Sequence, residues 1–211
     1  MTTEVMAYNV AHAEIKTLDG AVLNLTEDFK YLGSHIGSSE KDIQTRKALA
    51  WRALHSMKKV WRLSMHAELK KKLFVTTVEA TLLYGCETWT LSARDESRLD
   101  GCYTRMLRMA MNITCMDKTT NEDLYGNLPR ISNKIREKRF RLARHCVRHS
   151  ELEVSNLVLW EPTQGKFNRE SQRLTYVDKL RKDTGLQTTA ELKTLMKDKC
   201  EWRAIAQEDS T

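Results

Sequence analysis

Two histidines four residues apart, His145 and His149, form the sharpest metal-like spacing in this 211-residue chain. On a helix both imidazoles share one edge, yet a structural zinc site needs three or four ligands. Cys146 falls about 100° away, toward the apolar side, and the other cysteines have no knuckle spacing. No metal and no other cofactor is expected. Carboxylates that could hold paired Mg²⁺ ions would have to converge to within about 4 Å. The adjacent acids are Glu27-Asp28, Asp95-Glu96, Glu122-Asp123 and Glu208-Asp209. The middle two fall in expected first turns of helices, where acids complement the helix dipole. No phosphate-cradling glycine loop and no nucleophile elbow is present, so no catalytic residue is assigned.

Charge is the stronger signal. Between Arg130 and Arg148 lie eight cations and one acid, Glu137, so these residues hold the whole formal net charge of +7. A surplus that served only solubility would be spread out, whereas this one is a patch suited to an anionic partner. On a helical wheel Lys134, Lys138, Arg141, His145 and Arg148 fall within about 80° of one another. Ile135, Phe140, Leu142, Ala143, Cys146 and Val147 lie on the other sides. Such a helix is expected to pack into a core while turning a cationic row to solvent, with Arg136 and Arg139 paired internally. A phosphate backbone fits the row and would be held without base readout.

The elements that must position this row are mostly helices. Gly and Pro total 10 of 211 residues, too few for a sandwich that turns every ten residues. The expected fold is mainly α: a short N-terminal β-hairpin element followed by six or seven helices. Asp19-Gly20 marks a turn, and residues 14–33 are expected to pair as one small antiparallel element that leaves Val22, Leu25, Tyr31 and Leu32 partly exposed or packed on the next helix. From Ser38 the apolar period becomes helical. Ser39 with Asp42, Ser64, Ser92 with Asp95, Thr120, Thr175 with Asp178, and Thr188 with Glu191 are the expected helix starts. Gly85 and Gly185 are expected stops. Trp51 and Trp61 read as core, residues 154–160 as a short apolar run, and residues 161–173 as a loop. Five cysteines without a C-x-x-C, no apolar stretch long enough to span a bilayer and no visible signal peptide lead to the expectation of reduced thiols, no membrane partner, and an intracellular protein of nucleus or cytoplasm.

The residue pattern resembles the C-terminal part of a non-LTR (LINE-like) retrotransposon reverse transcriptase. The resemblance rests on Phe29-Lys30-Tyr31-Leu32-Gly33, on Asp42-Ile43 and on the stretch from Leu82 to Trp89 (Leu-Leu-Tyr-Gly-Cys-Glu-Thr-Trp). It continues through Leu107-Arg108, Thr120-Asn121 and the segment from Ile135 to Arg148, then through residues 160–166, 175–178 and Trp202-Arg203. It covers nearly the whole chain. It implies that residues 1–37 are a palm remnant, with Thr3 to Met6 resembling motif D and Phe29, Lys30, Tyr31, Leu32 and Gly33 resembling the primer grip. Residues 38–91 would be thumb helices, 92–160 a post-thumb helical region carrying the basic helix, and 161–211 a loop and C-terminal helices. The sequence departs from the pattern at Arg144, where glycine would precede the histidine. The metal-binding aspartates of that family lie upstream of motif D, where this chain begins. The implied function is nucleic-acid (RNA or DNA primer-template) binding without autonomous polymerisation. Two alternatives stay open: a helical adaptor whose basic face binds an acidic protein, and a polymerase part completed in trans by an upstream palm and fingers polypeptide. Primer extension on RNA and DNA templates with Mg²⁺ or Mn²⁺ is therefore expected to give no incorporation above a blank; incorporation by protein free of contaminating polymerase would contradict this.

Overall fold

The computed structural model describes residues 4–5, 15–17, 19–26, 29–36, 38–149, 158–159 and 175–207. The chain divides into two compact units, residues 1–48 and 49–211. The expected apolar run and loop between 154 and 173 lie almost wholly outside the described residues, as does the side chain of Leu25.

In the first unit β1 (Glu4–Val5) pairs in parallel with β2 (Asn24–Leu25). The Asp19-Gly20 turn is present, closed by an antiparallel bridge between Lys16 and Val22, with Gly20 at φ +80°. Residues 14–33 do not form one antiparallel element, however. The hairpin joins β3 (Phe29–Tyr31) to β4 (Ser34–Ile36), so the partner strand lies after Gly33 rather than before Phe29. Leu32 and Gly33 make the turn at φ +49° and +88°. Two positive φ values in a two-residue loop match the right-handed strand twist, at some steric cost to a leucine. Val22, Tyr31 and Leu32 are exposed, as expected.

Polar contacts from helix α1 (Ser39–Ser56) secure that hairpin. Arg46 donates to the Gly33 carbonyl at 2.6 Å, Asp42 accepts from the His35 backbone N–H at 3.2 Å, and Thr45 meets the His35 ring at 3.2 Å. Asp42 therefore serves the hairpin, and the α1 start is capped one residue earlier than expected, by the Ser38 hydroxyl accepting from the Lys41 N–H.

The second unit follows with α2 (Lys58–Trp61), then α3, which runs from 67 to 82 as Ala67–Phe74, a π-helical turn Val75–Glu79, and Ala80–Leu82. After these come α4 (Ala93–Ala110), α5 (Asn121–Tyr125), α6 (Ile131–Arg148), α7 (Tyr176–Thr184), α8 (Thr189–Lys197) and α9 (Lys199–Gln207). The fold is mainly α, as the sparse glycine and proline predict. The expected caps hold at Ser92, Thr120, Thr175 and Thr188, each accepting from the N–H three residues on. At Asp178 burial alone would raise the carboxyl, but hydrogen bonds from Thr175 and Arg181 hold it below the usual range. Ser64 caps nothing; α3 starts later, at Ala67, with His66 before it and no side-chain cap. Gly85 and Gly185 sit at φ +73° and +72°, the left-handed conformation that stops a helix. The sequence reading ended with one helix after Gly185, whereas the chain breaks at Asp198 into α8 and α9.

Helix α6 is the hub. It packs on α4, α8, α9 and the 3₁₀ turn Cys86–Thr88. Its first half buries Ile131 and Ile135; its second half buries Phe140 and Ala143 in a core with Val177, Leu180, Leu192, Met196 and Trp202. Trp202 donates from Nε1 to the Phe140 carbonyl at 3.1 Å. Asp100 of α4 caps the start of α6, accepting from the Ser132 N–H at 3.0 Å and its hydroxyl at 2.8 Å.

Arg46 makes the shortest of the hairpin's contacts with α1, and a charge-assisted hydrogen bond is worth roughly 1.5–3 kcal/mol. Arg46→Met is expected to speed amide exchange in β3 and β4 about 10- to 100-fold while α4 amides keep their protection. Unchanged hairpin exchange would contradict the assignment.

Candidate nucleic-acid interface

Phe29, Lys30, Tyr31, Leu32 and Gly33 belong to the first unit, where the hairpin presents Lys30, Tyr31 and Leu32 to solvent at its tip. The cationic helix belongs to the second unit, and there the structure divides the expected row.

Lys134 does not face solvent. Its ammonium donates to both Glu79 carboxylate oxygens at 2.7 Å, and its side chain is 15% exposed. Glu79 stands on the π turn of α3 and also accepts from the Tyr103 hydroxyl of α4 at 2.5 Å. Burial first, then the Glu79 charge, push the Tyr103 phenol far up, so it remains a donor. The expectation that Lys134 turns to solvent as the first member of the row is thereby corrected. A helical wheel gives the direction of a side chain from the axis, but solvent or a neighbouring helix can lie in that direction. Near its start α6 meets α3, and the buried carboxylate draws Lys134 inward.

Further along, the same azimuth opens to water. Arg141 is 74% exposed and, among the described residues, pairs with Glu137 at 2.8 Å. His145 and Arg148 are exposed, and Lys138 is half-buried. Lys138 to Arg148 spans about 15 Å at 1.5 Å per residue. An exposed pair such as Glu137–Arg141 is worth at most about 1 kcal/mol, so it leaves Arg141 available to an anion. Arg136 and Arg139 turn inward as expected. Arg136 donates to the Asp183 carbonyl at 2.6 Å, near the end of α7, and lies 5.2 Å over the Phe140 ring. Arg139 is fully buried and pairs with the Asp183 carboxylate, which also holds Lys179 at 3.0 Å; Lys179 reaches Glu96 of α4 at 2.7 Å.

A second cationic face escaped the sequence reading. From Leu49 to Ala67 there is no acid, and Arg52, Lys58, Lys59 and Arg62 are all exposed along α1 and α2. Trp51 is half-buried rather than core and stacks on the exposed His55 at 5.7 Å, with the rings 25° apart. Trp61 is buried as expected. The acid-free run was the available signal. For Glu79 it was a lone charge in the apolar and threonine-rich stretch from Leu73 to Leu83.

Burial pushes the Cys86 thiol up to about 12 and raises Cys146 as well, and all five cysteines are free thiols. A cleft of about 680 Å³ between α4, α5 and the start of α6 is lined by polar groups including Asp100, Asn121, Tyr125 and Arg130. Among the described residues no helix is long and apolar enough to cross a membrane. A scan against protein-family models, a search of curated proteins and a search of solved structures each find no match.

Removing one partner of a buried ion pair strands the other, at roughly 3–5 kcal/mol. Lys134→Gln is therefore expected to lower the unfolding free energy in urea by about that much, and adding Glu79→Gln should recover part of it. A loss as small as that of Arg141→Gln would place Lys134 back on the solvent face.

Proposed function

We propose that this chain is a nucleic-acid-binding helical protein of retroelement type, a thumb and post-thumb region that holds RNA or DNA by its backbone without polymerising it. The observation that carries the reading is the solvent side of α6, where Arg141, His145 and Arg148 are exposed beside one acid, Glu137. The cations of α6 that serve the fold are already satisfied inside it, at Glu79 and Asp183. Arg141 and Arg148 are exposed, and a backbone carrying one charge per about 1.7 Å of duplex is the partner they suit. The exposed Arg52, Lys58, Lys59 and Arg62 supply a second anionic contact surface of the same kind. The similarity of the residue pattern to the end of non-LTR reverse transcriptases points the same way, and the hairpin tip at Tyr31 and Leu32 falls within the residues that resemble that family's primer grip.

The test is the salt dependence of binding. Replacing Lys138, Arg141 and Arg148 together by Gln removes up to three phosphate contacts, so the log–log slope for duplex DNA should flatten by about 2.7. Affinity should fall similarly for unrelated sequences, because backbone contacts carry no sequence information. Unchanged slope and affinity, with unchanged circular dichroism, would overturn the reading. Saturable binding to an acidic protein but not to nucleic acid would favour the adaptor alternative.

A further inference from the structure

The end of α6 holds a pair of imidazoles whose chemistry goes beyond phosphate contact. His145 and His149 stand on consecutive turns with ring centroids 4.6 Å apart and planes inclined by 54°. We propose that this pair chelates a divalent transition-metal ion at the C-terminal end of α6. A metal–imidazole bond of about 2.1 Å puts an ion about 3.2 Å from each ring centroid, so centroids 4.6 Å apart subtend about 90° at a shared ion. That angle is the cis angle of a tetragonal site, which suits Cu²⁺ and Ni²⁺; a slightly wider opening admits tetrahedral Zn²⁺. Among the described residues no three His, Cys, Asp or Glu groups converge. The pair therefore supplies two ligands from the described residues. Such a site lies outside the three- and four-ligand patterns by which zinc is recognised in a sequence.

Two opposing charges set its strength. The negative end of the α6 dipole favours a cation near the last turn, whereas Arg141, Arg144 and Arg148 oppose one. Because the net effect of these side chains is repulsion, added salt screens it. Metal binding is thus expected to hold or strengthen with ionic strength, the reverse of phosphate binding. The site shares His145 with the nucleic-acid surface, and it is tested on the chain alone, without nucleic acid.

The experiment is calorimetric titration of Cu²⁺, Ni²⁺ and Zn²⁺ into the untagged full chain, in a non-coordinating salt at two concentrations. One ion per chain is expected. His145→Ala and His149→Ala should each weaken binding at least about tenfold, while His55→Ala and Cys146→Ser stay within about twofold of the parent. Paramagnetic broadening of amide NMR signals by Ni²⁺ or Cu²⁺ should centre on residues 141–149. Broadening centred elsewhere, or parental affinity in the His145 and His149 variants, would overturn the assignment.

Discussion

A carboxylate placed inside a helical core must find a cation and hydrogen-bond donors, or it destabilises the fold by several kcal/mol. Glu79 is that carboxylate, and the arrangement of α3, α4 and α6 answers its demand. The π turn Val75–Glu79 inserts an extra residue into α3. Hydroxyls of Thr76, Thr77 and Thr81 bond back to carbonyls one turn earlier, at 2.7 to 3.1 Å, and so occupy acceptors that the wider turn loosens. Tyr103 arrives from α4, braced edge-on by Phe74 at 5.4 Å and tilted against Tyr125 at 5.9 Å. Lys134 arrives from α6. Three helices thus meet at one acid. An ion pair of this kind adds little net stability over a hydrophobic equivalent, but it fixes which side chain sits where.

That fixing decides what the outside of α6 can do. Eight cations lie between Arg130 and Arg148, and the fold claims three of them: Lys134 for Glu79, Arg139 for the Asp183 carboxylate, and Arg136 for the Asp183 carbonyl near the end of α7. The Arg139–Asp183–Lys179–Glu96 chain does for α4, α6 and α7 what Glu79 does for α3, α4 and α6. Between the two anchors the rotation of α6 is set. With it set, Arg141, His145 and Arg148 face water in one line, and the patch becomes a surface rather than a surplus.

The parts of this fold legible in the sequence were those set by local chemistry. Thr120, Thr175 and Thr188 cap helices because each has its acid three residues on, and Gly85 and Gly185 stop helices because the left-handed turn favours glycine. Arg136 and Arg139 were legible as inward-facing from the period of α6 alone. Distant partners were not. Nothing near Lys134 announces Glu79, 55 residues earlier, and the hairpin's strand after Gly33 hid behind a leucine at positive φ, which sequence rules discourage. Asp42 follows Ser39 at capping-box spacing, and its carboxylate also accepts from the His35 amide, a tertiary contact that the local spacing does not announce. The face carrying Arg52, Lys58, Lys59 and Arg62 was missed for another reason: a count of net charge dwells on where cations exceed acids most, not on where acids are absent.

Acids inside the fold sort the cations of α6 into structural and solvent-facing groups. Lysine acetylation footprinting, read by mass spectrometry with and without a saturating oligonucleotide, tests this sorting most directly. Lys134 and Lys179, both held by carboxylates inside the fold, should acetylate slowly in both conditions. Lys138, Lys58 and Lys59 should react readily in the free chain and become protected by the oligonucleotide. Rapid acetylation of Lys134 in the free chain, at the rate of Lys58, would contradict the account.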